Sequence, residues 1–303
     1  MPTWHELLSE ISTTGSGHDV VRRKYLTKLH RLTGRNVILY YSGWLQKPDV
    51  KVAQQLTDSD KTGFMTSIHK LDTSKGLDLI LHTPGGETAA TESLVDYLRA
   101  KFDTNIRAIV PQLAMSAGTM IACACREIVM GKHSSLGPID PILNGLPAHG
   151  VVEEFKRAYD EMKADQHKAF VWQPILAKYH PTLVGECEKA ITWSRSMTRD
   201  WLLTGMLQGQ QGAEQRADTI LNELVDHSVT LSHARHLSAK KCRELGLTIV
   251  ALEDDQKLQE AVLTLHHACI HTLSSTGAYK MIENHEGVAY MQMFQQVIVK
   301  GNP

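Results

Sequence analysis

Two short stretches of the sequence bring together groups that could handle an acyl carbon. "AMSAGT" sets Ser116 between Met115 and the small pair Ala117-Gly118, directly behind the apolar run "IRAIVPQLA", and "HTPGGE" sets Gly85-Gly86 behind the apolar run "LDLIL". A serine at the start of a helix meets the positive end of the helix dipole, and small neighbours leave its hydroxyl uncrowded. Acyl transfer also needs backbone N–H donors where a carbonyl oxygen becomes anionic, and glycine lets a substrate approach the main chain closely. The amides of Gly86 and Ala117 are the natural pair of donors, with Gly85 opening the backbone to a substrate. Serine is also a preferred helix N-cap, so Ser116 taken alone reads as a capping residue.

A serine hydroxyl is a poor nucleophile at its free pKa, so a base must reach it. His133, in "GKHSSLGPIDP", lies close in sequence to the serine turn and is the side chain most suited to base work near neutral pH. Lys168 could serve if burial lowered its pKa, although "DEMKADQHKAF" sets it with Lys163 and His167 in a polar helical stretch, where lysines face water. "SHARHLS" adds His233, Arg235 and His236 just before a later helix. The sequence leaves these candidates open.

The elements that must hold these residues alternate. "VVRRKYLTKLHRLTG" reads as an amphipathic helix with Val20, Tyr25, Leu26, Leu29 and Leu32 on one stripe and Gly34 as its C-terminal cap. "RNVILYYSGW", "LDLILHTPGG", "NIRAIVPQLA" and "EIVMG" are short, continuously apolar runs, as expected of strands in a sheet covered on both faces. Helical patterns, "SDKTGFMTSIHKL" and "TAATESLVDYLRAKF", lie between them, and the alternation predicts a parallel α/β core. From 151 to 225 the pattern turns helical, broken at Pro174, Pro181 and "GMLQGQQG"; "SAKKCRELGLTIV" then reads as helix, glycine cap and return strand. Residues 251–303 read as one or two further helices and a polar end.

Beyond single residues, "HTPGG", "AMSAGTMIACACREIVMG" and "KHSSLGPIDP" resemble the Clp-fold serine peptidases, specifically the serine dehydrogenase proteinase family, relatives of signal peptide peptidase A and ClpP. The resemblance extends over most of residues 34–250, through "GRNVILYYSGWLQKP", "VWQPILAKYHPTLVGECEKA" and "HARHLSAKKCRELGL". It implies an α/β ClpP/crotonase fold with repeated β-β-α type units and a helical C-terminal half. The implied organisation is an N-terminal helical segment (1–33), a peptidase domain (34–250) and a C-terminal helical extension (251–303). It implies a nucleophile at Ser116 and an oxyanion hole at Gly86 and Ala117. Lys168 falls at a distance from Ser116 similar to that of the lysine in Ser-Lys enzymes of this group. Asp140 falls near the place of the ClpP-type histidine, where an aspartate would orient a base or, with Gly85, shape a substrate groove. The chain departs from the family pattern at Ile142, where a glutamine is expected.

The implied activity is hydrolysis of peptides or unfolded proteins by a homo-oligomer that needs no cofactor, with any ATPase or adaptor partner unspecified. Two other readings stay open: a crotonase-like acyl-CoA enzyme using the same two amides without a nucleophilic serine, and an assembly protein that keeps the fold but lacks a competent base. The chain has 303 residues with 32 basic and 33 acidic side chains, net charge −1, which gives no electrostatic case for a nucleic-acid partner. No apolar run reaches the roughly 18 residues of a membrane span and the N-terminus lacks a signal-peptide pattern, so the expectation is a cytoplasmic protein. Cys123, Cys125, Cys187, Cys242 and Cys269 include no C-x-x-C pair and read as reduced structural thiols. His267 and His271 have the i,i+4 spacing of a metal pair but no third ligand, and no Gly-rich phosphate loop is present, so neither metal nor nucleotide is expected. Trp172, Trp193 and Trp201 read as core or interface packing.

Overall fold

The computed structural model describes residues 18–143, 145–225, 232 and 234–294. Helix α1 (His18–Thr33) leads into strand β1 (Asn36–Ser42), followed by α2 (Asp58–Ile68), β2 (Leu77–His82), α3 (Thr88–Phe102), β3 (Ile106–Val110), β4 (Leu113–Ala114), α4 (Ala117–Cys123) and β5 (Glu127–Met130). After β6 (Ser135–Leu136) and the hairpin β7 (Ile142–Leu143) and β8 (Leu146–Pro147) comes a run of helices: α5 (Ala148–Ala164), α6 (Ala169–Leu176), α7 (Leu183–Thr204) and α8 (Ala213–Val225). The chain returns through β9 (Leu237–Ser238), α9 (Ala239–Leu245), β10 (Ile249–Ala251), α10 (Gln256–Ser275), β11 (Ala278–Asn284) and β12 (Ala289–Met293).

The central sheet runs β10-β5-β3-β2-β1-β11-β12. The five strands from β10 to β1 are parallel, and β11 and β12 close the far side in antiparallel fashion. Side chains alternate across it, as the two-residue period of a strand requires. Ile38, Tyr40, Leu77, Leu79, Leu81, Ala108, Val110 and Met130 enter one core, under α2, α3, α4, α7 and α8. Val37, Leu39, Tyr41, Ile80, Ile109 and Val129 enter the other, under α1 and α10. Both faces being covered is the physical reason that the strands carry unbroken apolar runs. No helix among the described residues is long and apolar enough to cross a membrane.

Three local outcomes differ from the sequence reading. In α1 the buried stripe is Val21, Arg22, Tyr25, Leu26 and Leu29, while Val20 and Leu32 stay 45% and 39% exposed. The helix is turned by about one residue because the Arg22 guanidinium is drawn inward onto Glu283 and Thr272. Next, residues 278–284 and 289–293, expected to continue a helical extension, are strands of the central sheet. Their charged residues Lys280 and Glu283 are buried against Asp60 and Arg22, so a segment that looks solvent-facing in sequence lies inside. Finally, single strands and helices alternate through most of the sheet, and a strand-strand-helix unit is seen at β3–β4–α4.

Candidate active site

Past the sheet edge, the chains leaving β2 and β3 stay paired. Thr83 N–H donates to the Leu113 carbonyl (3.1 Å) and Met115 N–H to the Thr83 carbonyl (3.0 Å), which lays the Pro84–Gly86 turn alongside residues 114–118. The approach is close enough that only glycine fits. A Cβ on Gly85 would stand 2.6 Å from Ser116 Cβ and 2.9 Å from the Met115 carbonyl oxygen. Gly85 also has φ +106°, a conformation that side-chain-bearing residues rarely adopt.

Ser116 is one of three non-glycine residues with positive φ among the described residues, at φ 49° and ψ −114°. Such backbone costs on the order of 1–3 kcal/mol and persists only where the surroundings impose it. Here they do: Thr119 Oγ1 donates to the Ala114 carbonyl (2.8 Å) and accepts from Gly137 N–H (3.0 Å), pinning the turn on both sides. Gly118 lies against Thr83, where a Cβ would be 2.5 Å from the threonine methyl. Although Ser116 stands at the N-cap position of α4, its side chain makes no capping bond. Its hydroxyl instead lines a cavity of about 360 Å³.

Two backbone amides bear on this point. Ala117 is the first residue of α4, and first-turn amides have no partner within their own helix. Residues 54–57 run beside the glycine turn, with Leu56 N–H donating to the Gly85 carbonyl (2.8 Å) and Glu87 N–H to the Leu56 carbonyl (3.0 Å). In that parallel pairing Leu56 takes the Gly85 carbonyl and the Glu87 amide, and the N–H of Gly86 points away from Leu56. A Cβ on Gly86 would meet the Leu56 backbone at 2.2 Å, so the segment and the turn are in direct main-chain contact.

Of the other residues singled out in the sequence, Asp140 is brought to the cavity, 1% exposed, across from Glu87 and Thr88 at the start of α3. Ile142 and Gly145 of the β7–β8 hairpin form its outer lip. Lys168 and His133 are not among the residues lining it. Lys168 lies in the turn between α5 and α6, its side chain 48% exposed and paired with Glu161 at 3.1 Å. Glu161 also accepts from Trp172 Nε1 and Arg157 Nε, and those bonds, Trp172 first, hold its carboxyl down to about 2. His133 is exposed beside Gly131, and its titratable neighbours are Glu253, His266 and His267, the last two on α10 of the opposite core. Arg235 and His236 are exposed, and His233 lies outside the described residues.

The thiols nearest the turn do not compete as nucleophiles. Cys123 and Cys125 are buried, and burial pushes both up, Cys125 to about 12. All five cysteines are free and buried. Among the described residues no group of three or more His, Cys, Asp or Glu stands arranged to hold a metal ion. Trp201 is buried in the core, Trp172 packs on the α5–α6 arm, and Trp193 donates to Glu92 (3.2 Å). Sequence reasoning missed Gln55, Met120 and Ile139 on the cavity wall. The segment 54–57 carries no local signal, because what defines it is a single bridge to a turn thirty residues on.

A mostly parallel sheet, covered by helices on both faces and carrying its candidate site beyond the carboxyl ends of the strands, is consistent with a ClpP-like fold. The chain matches the ClpP-like SDH-type serine proteinase family over residues 21–266, and it belongs to that family. It is also similar to two proteins of Methanocaldococcus jannaschii. Uncharacterized protein MJ1495 is 28% identical over 199 residues, 60% of this chain and 67% of that protein. Uncharacterized protein MJ0137 is 32% identical over 169 residues, 51% of this chain and 58% of that protein. The chain therefore spans only part of the length of each relative.

Proposed function

We propose that the protein is a serine peptidase that cleaves peptide bonds through an acyl-enzyme on Ser116. The observation that carries this reading is the Ser116 turn itself: a non-glycine residue at φ 49°, released from capping and pressed against Gly85 at the mouth of a cavity. Ser116 Oγ attacks the peptide carbonyl carbon, the C–O bond forms, and the hydroxyl proton passes to a base. The carbonyl oxygen becomes an oxyanion held by the N–H groups of Gly86 and Ala117. Collapse breaks the C–N bond, the amine leaves with a proton, and water then hydrolyses the ester and frees the serine.

In this reading Gly85 and Asp140 shape the groove that takes the substrate, a peptide or an unfolded protein, and copies of the chain associate. Association is supported by the exposed apolar side chains of the helical arm, Tyr159, Phe170 and Val171, at 61%, 79% and 62% exposure.

The test is a fluorophosphonate probe, which reacts with activated serines, read by intact-protein mass. Wild type gains one adduct and Ser116→Ala gains none; equal labelling of the two overturns the reading. Two substitutions, Lys168→Met and His133→Gln, then test the candidates for the proton acceptor, and Asp140→Asn tests the groove carboxylate that would orient a base. Of the first two, the variant that stays folded and loses labelling across the pH range identifies the base.

A further inference from the structure

Beneath the glycine turn lies a chain of buried polar groups that none of the chemistry above uses. Lys280 of β11 and Asp60 of α2 are each 1% exposed. Lys280 Nζ donates to both Asp60 oxygens (2.9 and 2.8 Å) and to the main-chain carbonyl of Gln55 (2.9 Å), which uses all three of its protons. Asp60 in turn accepts from Thr57 N–H (2.9 Å) and from the Tyr40 phenol (3.2 Å). Thr83 stands within hydrogen-bond reach of that phenol and accepts from Gly85 N–H (3.1 Å).

These bonds converge on one object. Residues 54–57 are gripped at the Gln54 carbonyl by Ser42, at the Gln55 carbonyl by Lys280 and at the Thr57 amide by Asp60. So gripped, the segment presents Leu56 to the Gly85 carbonyl and the Glu87 amide, which brackets Gly86. From below, Tyr40 and Thr83 meet the same turn at Gly85. Ser42 and Lys280 are direct partners across the β1–β11 ladder, so one register places both grips. Lys280 also lies beyond residues 21–266, the span over which the chain matches its family.

A lone buried ion pair adds little to stability over well-packed apolar residues of similar volume, so stabilisation alone is a weak account of this one. Its geometric effect is specific: it fixes the segment 54–57, against which the glycine turn is set. We infer that Lys280 is a positioning residue for the Gly86 amide, acting through Asp60 and the Gln55 carbonyl on residues 54–57. The inference rests on the peptidase reading.

The experiment compares fluorophosphonate labelling rates, corrected for the folded fraction by circular dichroism, in the full chain. Lys280→Met leaves Asp60 buried without its cation and is expected to unfold readily. The decisive variant is therefore Lys280→Met with Asp60→Leu, which removes both charges. It is expected to fold and to label on the order of a hundredfold more slowly, the scale of a one-ångström misplacement of a reacting group. Tyr40→Phe keeps the ion pair, removes the phenol's bonds to Asp60 and Thr83 together, and is expected to slow labelling several-fold per folded molecule. A role confined to stability predicts wild-type rates per folded molecule in both variants, and that result overturns the inference while leaving the peptidase reading intact. A wild type that takes no label overturns both.

Discussion

Gly85→Ala probes whether the two turns press on each other as the structure has it. The new methyl would stand 2.6 Å from Ser116 Cβ, 2.9 Å from the Met115 carbonyl oxygen and 3.0 Å from the Ala117 amide nitrogen, so two of the three obstacles are backbone and cannot swing aside. The φ of +106° adds backbone strain, on the order of 1–3 kcal/mol. With relief of the clash by a shift of the Ser116 turn, the folded state loses roughly 2–4 kcal/mol, and melting falls by about 3–6 °C in a chain of this size. Under the proposed peptidase reading, activity falls further than stability, because the shift moves the Ser116 hydroxyl and the Ala117 amide together; about a hundredfold is expected. Gly34→Ala is the control: it too has positive φ, at +68°, but nothing lies within 4 Å of the added methyl. It loses about 1–2 kcal/mol at the end of α1 and nothing in labelling rate. The assay is fluorophosphonate labelling per folded molecule beside a thermal melt. Wild-type labelling in folded Gly85→Ala refutes the close approach of the turns, and equal activity losses in the two glycine variants refute its link to catalysis.

Two further outcomes are expected. His82 is buried among Tyr41, Trp44 and His266, and burial pushes its imidazole down to about 3, with His266 lowered in the same direction. The unfolded chain takes up a proton near 6.5 that the folded His82 refuses until about 3, so stability falls as pH drops through that window, by about 1.4 kcal/mol per pH unit from His82 alone. Urea midpoints at pH 7 and pH 5 should diverge less in His82→Leu than in wild type; an undiminished divergence refutes the assignment. On the helical arm, Phe170→Ser with Val171→Ser should lower the mass seen by light scattering if that face joins copies of the chain, and a wild type that runs as a 33.8 kDa monomer counts against association altogether.

Much of the candidate site was legible because its decisive part is local. Strand, small-residue turn and helix are contiguous around Ser116, and the glycine pair announces a backbone approach without any need to know what approaches. The strands of the parallel sheet were equally plain, since burial on both faces removes every polar interruption. What stayed hidden was made by distance. Leu56 matters through pairing with Gly85 and Glu87, and Gln55 reaches the cavity only because the same pairing holds it there. The strand β11 reads as polar because Lys280 and Glu283 find counter-charges more than two hundred positions away in the chain. Lys168 shows how little an interval along the chain says about place: the arm sets its side chain, 48% exposed, onto Glu161 and not among the residues that line the cavity.

The place of β11 in the sheet bears on how the molecule comes into being. Strand β1 is flanked by β2 on one side and β11 on the other, so the neighbour on its second side arrives long after the serine turn has left the ribosome. During that interval the segment around Leu56 lacks the ammonium of Lys280, and Asp60 lacks its cation. A nascent chain thus carries the Ser116 turn before it carries the Lys280–Asp60 pair that grips residues 54–57, and under the proposed peptidase reading the glycine turn is braced only once β11 has paired with β1.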